Sequence, residues 1–117
     1  AYVQNHLARA KATLAGARAQ FYDVTAQAWE ELQHAPEVGR ETHVKLRLAA
    51  TMAAHDGAEV ARQAFLMGGA GAMMTGHPLG RLMVDAACVA QHAFMGEGTW
   101  TAAGAAMFGE PTPPGFP

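Results

Sequence analysis

The chain has 117 residues, 50% of them hydrophobic and only 15% charged, with a net charge of −2 and a single cysteine. One domain is the default at this length, and a charge content well below the roughly 25% of ordinary soluble domains suits helices packed closely against neighbours. The charge balance excludes electrostatic capture of nucleic acid or of an anionic membrane, and a lone Cys88 excludes an internal disulfide and points to a reducing, cytoplasmic setting.

The first segment carries a 3.5-residue rhythm. Val3, Leu7, Ala10, Leu14, Ala17, Phe21, Val24 and Ala28 form a coiled-coil-like seam, which Trp29 and Leu32 extend. The spacing predicts one helix to about Ala35, because Pro36 disfavours helix at the residue before it. Such a helix is roughly 50 Å long, against a radius of gyration near 14 Å for a compact domain of this size. It must project or pack against another chain or domain. The N-terminus, Ala1 rather than Met, starts inside the helical pattern with no signal-peptide core, so a cut or processed start is expected.

After a short connection at Pro36–Gly39, a second helix is predicted over Arg40–Met67. One apolar stripe runs Leu46, Ala50, Ala53, Gly57, Val60, Ala64, Met67 and the other Val44, Leu48, Thr51, His55, Ala58, Arg62, Phe65. A helix apolar on two sides is sandwiched between neighbours. Glycines 68, 69 and 71 end it and permit close backbone approach. The apolar run Ala64–Met74 is too short for a bilayer, which takes about 20 residues.

Pro78 suits the first position of a third helix running to about Met95, with Gly96 as its C′ residue and Leu82, Met83, Ala86, Val89, Ala90 and Ala93 buried. Thr99 is the expected cap of a fourth helix through Phe108, stopped by Gly109. The expected architecture is an all-α, up-down four-helix bundle over residues 1–109 with long first and second helices. Residues 110–117, four of them proline, form an irregular tail.

Arg81, Asp85, Cys88 and His92 are spaced to share one face of the third helix. The structural reading is an Arg–Asp pair worth a few tenths of a kcal/mol beside a satisfied histidine. The functional reading is a face lining a ligand or cofactor. A Cys88–His92 nucleophile pair is the sharper version, but no third group orients it. His55 and Glu59 share a helix face as two metal ligands would, yet the Glu-x-x-His motif and further carboxylates of a di-metal bundle are missing. No metal site is expected. The glycine cluster follows a helix, not a strand, so it is no dinucleotide fingerprint.

Taken in order, Leu66-Met67-Gly68-Gly69-Ala70-Gly71, His77-Pro78-Leu79-Gly80-Arg81-Leu82-Met83-Val84-Asp85-Ala86, Gln91-His92-Ala93-Phe94 and Ala102-Ala103-Gly104 resemble the C-terminal helical domain of acyl-CoA dehydrogenase-like flavoproteins. The Gln-His-Ala-Phe step is similar to its second type, found in dehydrogenase-like proteins and in flavin-dependent monooxygenases of the same fold. The resemblance implies a bundle that follows a helical N-terminal domain and a β-domain, holds FAD or FMN between domains and across a subunit interface, and associates as a homodimer or homotetramer.

Carried over, Gly68, Gly69 and Gly71 become cofactor-proximal, Arg81 and Asp85 match motif positions that organise the bundle, and His92 matches a histidine near flavin and substrate in the monooxygenase branch. The second arginine usual before the motif aspartate is Val84 here, and the glutamine usual ahead of the glycine pair is Phe65. Glu97-Gly98-Thr99 imitates the Glu-Gly-Thr whose glutamate is the dehydrogenase base. It stands a helical turn too far from Asp85, and a turn residue at the start of the fourth helix is the preferred reading.

The implied parent is an oxidoreductase, either dehydrogenating acyl thioesters at a CH–CH bond or oxygenating an aromatic substrate. The isolated chain is expected to be inactive, supplying the oligomer interface and one wall of the flavin site. A stand-alone oligomerisation module without chemistry is the alternative from a different class.

Overall fold

The structure, a computed structural model, describes residues 1–117 and contains helices but no strands. Four α-helices, α1 (Tyr2–Leu32), α2 (Arg40–Met67), α3 (Pro78–Ala90) and α4 (Gly98–Met107), are linked with two short 3-10 turns at Gly69–Met73 and Ala93–Met95. The all-α class and the two long leading helices match the periodicity, and α2 keeps the bounds expected of it. No helix is long and apolar enough to cross a membrane.

α1 stops at Leu32, short of the expected Ala35. The amides of Gln33 and His34 turn back onto the carbonyls of Glu30 and Glu31 at 3.1 and 3.0 Å, a tightened last turn. The Glu31 carboxylate then reaches across the connection. It accepts from the Gly39 amide at 3.0 Å and from the Thr42 hydroxyl, and so satisfies the start of α2 from the end of α1. The Thr42 bond, followed by the Gly39 bond, holds the Glu31 carboxyl below the ordinary carboxylate range.

α2 is the hub. It packs against α1, α3, α4 and both 3-10 turns, as two apolar stripes require. The buried residues are small: Ala17, Val24 and Ala28 on α1, Val44, Ala49 and Ala54 on α2, with Ala72, Ala90, Ala102 and Ala103 beyond. Alanine contacts bring helix axes close but remove little apolar area per residue from water. Only 13 of 117 residues are buried, and the α1 seam is covered at Ala17, Val24 and Ala28 but not at Val3, Leu7, Leu14 or Phe21, which are 39–59% exposed. The particle measures 52 × 26 × 24 Å with a radius of gyration of 17.2 Å, so it is elongated as the length of α1 implies, with α1 lying along α2.

Thr51, fully buried on α2, leaves its hydroxyl without a hydrogen-bond partner. An unsatisfied buried hydroxyl costs about 1–3 kcal/mol. Thr51→Val keeps the branched shape and removes the orphan. It is expected to stabilise the fold by about 1 kcal/mol, read as a raised urea midpoint at constant m-value; a lowered midpoint would show that the hydroxyl is satisfied in solution.

The third helix departs most from expectation. It ends at Ala90, not near Met95, and Gly96 is extended (φ −77°, ψ 175°) instead of forming a left-handed C′ residue. Of its expected buried side, Ala90 alone is buried; Leu82 and Val89 are 55% and 50% exposed, because α2 is the one long helix against which α3 packs. Thr99 does not cap α4. Its hydroxyl donates to the Phe94 carbonyl at 3.0 Å, and α4 begins at Gly98 with Glu97 flanking it. α4 ends at Met107, one residue before the expected Phe108, with Gly109 in the left-handed region (φ 73°). Residues 110–117 form no helix, yet they lie against α2: Arg40 Nη2 donates to Thr112 Oγ1 at 3.3 Å and Arg47 Nη1 to the Gly115 carbonyl at 3.4 Å.

Candidate functional site

The glycine turn closes α2 and leads to α3. Gly68 is demanded by packing, since a Cβ there would stand 2.7 Å from the Ala72 Cβ and 2.9 Å from the Leu79 Cδ1. Gly69 is demanded by its backbone, at φ 61°. Gly71 answers to neither: no atom lies within 4 Å of the place a Cβ would occupy, and its face is open. Packing therefore demands Gly68, the turn's backbone demands Gly69, and neither constrains Gly71; Gly69 and Gly71 are both exposed. Beside the turn, a groove of about 710 Å³ runs between Phe65 and Ala72–Thr75 on one wall and Pro78, Gly80, Arg81 and Val84 on the other. His77 caps α3, its Nδ1 accepting from the Leu79 amide at 3.3 Å.

Arg81 and Asp85 form an i,i+4 ion pair at 3.5 Å with both side chains largely exposed, a geometry that stabilises a helix by only a few tenths of a kcal/mol. Cys88 lies exposed on the same helix. His92 lies two residues past the last residue of α3, and the backbone turns extended after it (φ −63°, ψ 139°). No hydrogen bond joins it to Cys88; its Nδ1 is engaged elsewhere. The chain leaves helical geometry at His92 because the imidazole takes over the capping of the next turn: Nδ1 accepts from the Phe94 amide at 3.2 Å. An accepting Nδ1 places the ring proton of the neutral imidazole on Nε2.

Contacts from other elements over-determine the Ala93–Met95 turn that carries His92. The His55 Nε2 of α2 donates to the Met95 carbonyl at 2.7 Å. The Met95 amide donates to the His92 carbonyl at 2.8 Å, and Thr99 holds the Phe94 carbonyl. The Phe94 ring stands edge-on to the His92 imidazole with centroids 5.3 Å apart. The Arg47 guanidinium sits 5.0 Å from the Phe94 centroid and 5.0 Å from that of Phe116. Each such cation–π contact contributes about 0.5–2 kcal/mol, more as water is excluded. Glu97 follows the turn as an exposed residue at the start of α4, and its carboxylate makes no cap bond.

A second groove, of about 810 Å³, lies between α2 and α3 and is lined by His55, Asp56, Glu59 and Arg62 opposite Met83, Cys88 and Gln91, among others. Glu59 accepts two bonds from Arg62 and one from Gln63, all at 2.8 Å. Those bonds, Arg62 first, push the Glu59 carboxyl down to about 2. Both partners are about half exposed, so the pair adds little to stability. His55 and Glu59 thus go to different partners, and no three His, Cys, Asp or Glu side chains come together as a metal would need.

Sequence reasoning missed Arg47, His55 and Thr99 as supports of the His92 turn. A signal existed for two of them: Arg47, Thr51 and His55 repeat every four residues, and Thr51 and His55 are polar members of a stripe read as apolar.

A family profile described as the acyl-CoA dehydrogenase C-terminal domain matches residues 1–97. The chain is 42% identical over 113 residues to an indole-3-acetate monooxygenase of Pseudomonas putida and 35% identical over 113 residues to an indole-3-acetate monooxygenase of Acinetobacter baumannii. In both cases 97% of this chain aligns with 29% of the relative, so it spans less than a third of their length. On the breadth of that match, together with the all-helical fold and the glycine turn, the chain belongs to the acyl-CoA dehydrogenase C-terminal domain family.

Proposed function

We propose that this chain is the C-terminal helical part of a flavin-dependent monooxygenase acting on an aromatic substrate, with His92 on the flavin and substrate side. The observation that carries the reading is the 42% identity across 97% of the chain to a protein named for oxygenating an aromatic acid. Two features of the chain support it over acyl-CoA dehydrogenation. His92 is held by a tightly bonded turn, its Nδ1 engaged and its Nε2 left to offer, whereas the Glu97 carboxylate makes no cap bond; both residues are exposed.

The residues present fit a flavin as one wall and not as an enclosure. The Gly71 backbone is unobstructed and the adjoining groove is open. Gly69 and Gly71 would lie nearest the dinucleotide, with Gly68 as packing support behind them. Flavin, whether FAD or FMN, supplies the redox chemistry when bound; His92 would hold or deliver a proton at Nε2 and orient the substrate. The preceding helical and β-domains of the parent supply the remaining walls.

The uncovered seam of α1 (Val3, Leu7, Leu14, Phe21) is where further helices pack. There the bundle completes its up-down arrangement in a homodimer or homotetramer. Residues 1–109 act as the bundle and 110–117 as its tail. The unpaired, exposed Cys88 suits a cytoplasmic setting. The test is substrate-dependent oxygen uptake by the full-length protein with reduced flavin. Uptake with indole-type aromatic acids and none with acyl thioesters is expected; acyl-thioester dehydrogenation with an artificial electron acceptor and no oxygen incorporation would overturn the reading.

A further inference from the structure

We propose that Arg47 is a positioning residue that clamps the C-terminal tail to the His92 turn, so that Phe116 helps set the orientation of the imidazole. The inference rests on the reading of His92 given above for its functional part, and on geometry alone for its structural part. Arg47 Cζ lies 5.0 Å from the ring centroids of both Phe94 and Phe116, and Nη1 donates to the Gly115 carbonyl at 3.4 Å. Its Nε is buried with no hydrogen-bond partner, so the guanidinium is held by its faces and one edge while part of its donor capacity goes unused. An arginine in such a place is kept for its flat, weakly hydrated face, a property that lysine lacks.

The tail is registered at a second point, where Arg40 on the same side of α2 holds Thr112. Thr112 in turn donates to the Phe116 carbonyl at 3.1 Å, which fixes the ring that Arg47 meets. From Phe116 the chain of contacts runs through Arg47 to Phe94, and from Phe94 to His92 by a ring contact at 5.3 Å and by the amide bond to Nδ1. The four side chains come from the tail, α2 and the turn, so no local segment supplies the arrangement. Loss of either phenyl ring or of the flat cation frees the turn to rotate about its remaining bonds to His55 and Thr99.

The experiment uses the full-length protein with Phe116→Ala, Arg47→Met and Arg47→Lys, each confirmed as folded by circular dichroism. Hydrogen exchange by mass spectrometry reads residues 92–96, and steady-state kinetics reads kcat and KM separately. All three variants are expected to exchange faster over 92–96, although Phe116 is far from that segment in sequence, and to lose kcat on the order of tenfold with KM changed less than kcat, as misplacement of a catalytic group does. Arg47→Lys should not rescue, because charge without the flat face does not bridge two rings. Unchanged exchange over 92–96 in Phe116→Ala and Arg47→Met would overturn the clamp. His92→Asn separates the two ideas: full activity in that variant would sink the role given to His92, while the exchange result would still decide the clamp.

Discussion

His92→Ala in the full-length protein is expected, on the proposed monooxygenase reading, to lower kcat for oxygenation of an aromatic substrate by about 10²–10⁴-fold, the range that one positioned proton donor or acceptor contributes. The argument rests on how the ring is presented. Nδ1 is committed to the Phe94 amide, and the turn behind it is fixed by His55 and Thr99. Such a ring can offer Nε2 without reorganising when substrate arrives, which is the condition for efficient catalysis by a preplaced group. The companion variant is Glu97→Gln. Glu97 is exposed at the start of α4 and makes no cap bond, so its loss is expected to change kcat less than threefold, about 0.6 kcal/mol in barrier. Stopped-flow measurement of oxygenation in the two variants decides the matter. A large loss in Glu97→Gln with an active His92→Ala would return the chain to dehydrogenase chemistry.

The second large effect concerns the glycine turn. Gly68→Ala is expected to destabilise the protein by about 1–3 kcal/mol, because the new methyl meets the Ala72 Cβ at 2.7 Å and the Leu79 Cδ1 at 2.9 Å. The leucine tip can rotate away, but Ala72 is 2% exposed and cannot, so the turn itself must shift. Gly71→Ala has open space and should leave stability within about 0.5 kcal/mol, as surface substitutions do. If the Gly71 backbone approaches the dinucleotide in the assembled protein, Gly71→Ala will instead weaken flavin retention without lowering the melting temperature of the flavin-free protein. Thermal melts with and without flavin separate the two glycines. Equal destabilisation by both variants would refute the division of roles.

Much of the helical framework was legible without coordinates. The α1 seam is strictly periodic, Pro36 and the glycines at 68 and 69 punctuate it, and Pro78 and Gly109 mark a start and a stop. These are local signals, set by what the backbone of each residue tolerates, and α2 followed them to the residue. The failures fall where a partner remote in sequence outbid local preference. Ala93 and Met95 suit a helix, yet α3 breaks before them, because His55 and Arg47 on α2 and Thr99 on α4 bond to the turn that replaces it. Thr99 reads as a cap in isolation but finds the Phe94 carbonyl instead.

The same division runs through the site. Sequence by itself determined the helix class, the family resemblance and the residues worth watching: His92, Glu97, the three glycines, Arg81 and Asp85. Each of these is a matter of residue type and spacing. Tertiary structure alone decided that α3 ends before His92 and that the imidazole bonds the next turn, that Gly68 is packing while Gly71 is open, and that a tail expected to be irregular is pinned to α2 through Arg40 and Arg47. The physical reason is the same in each case: an imidazole, a missing Cβ or a guanidinium takes its role from atoms that lie near in space and far along the chain.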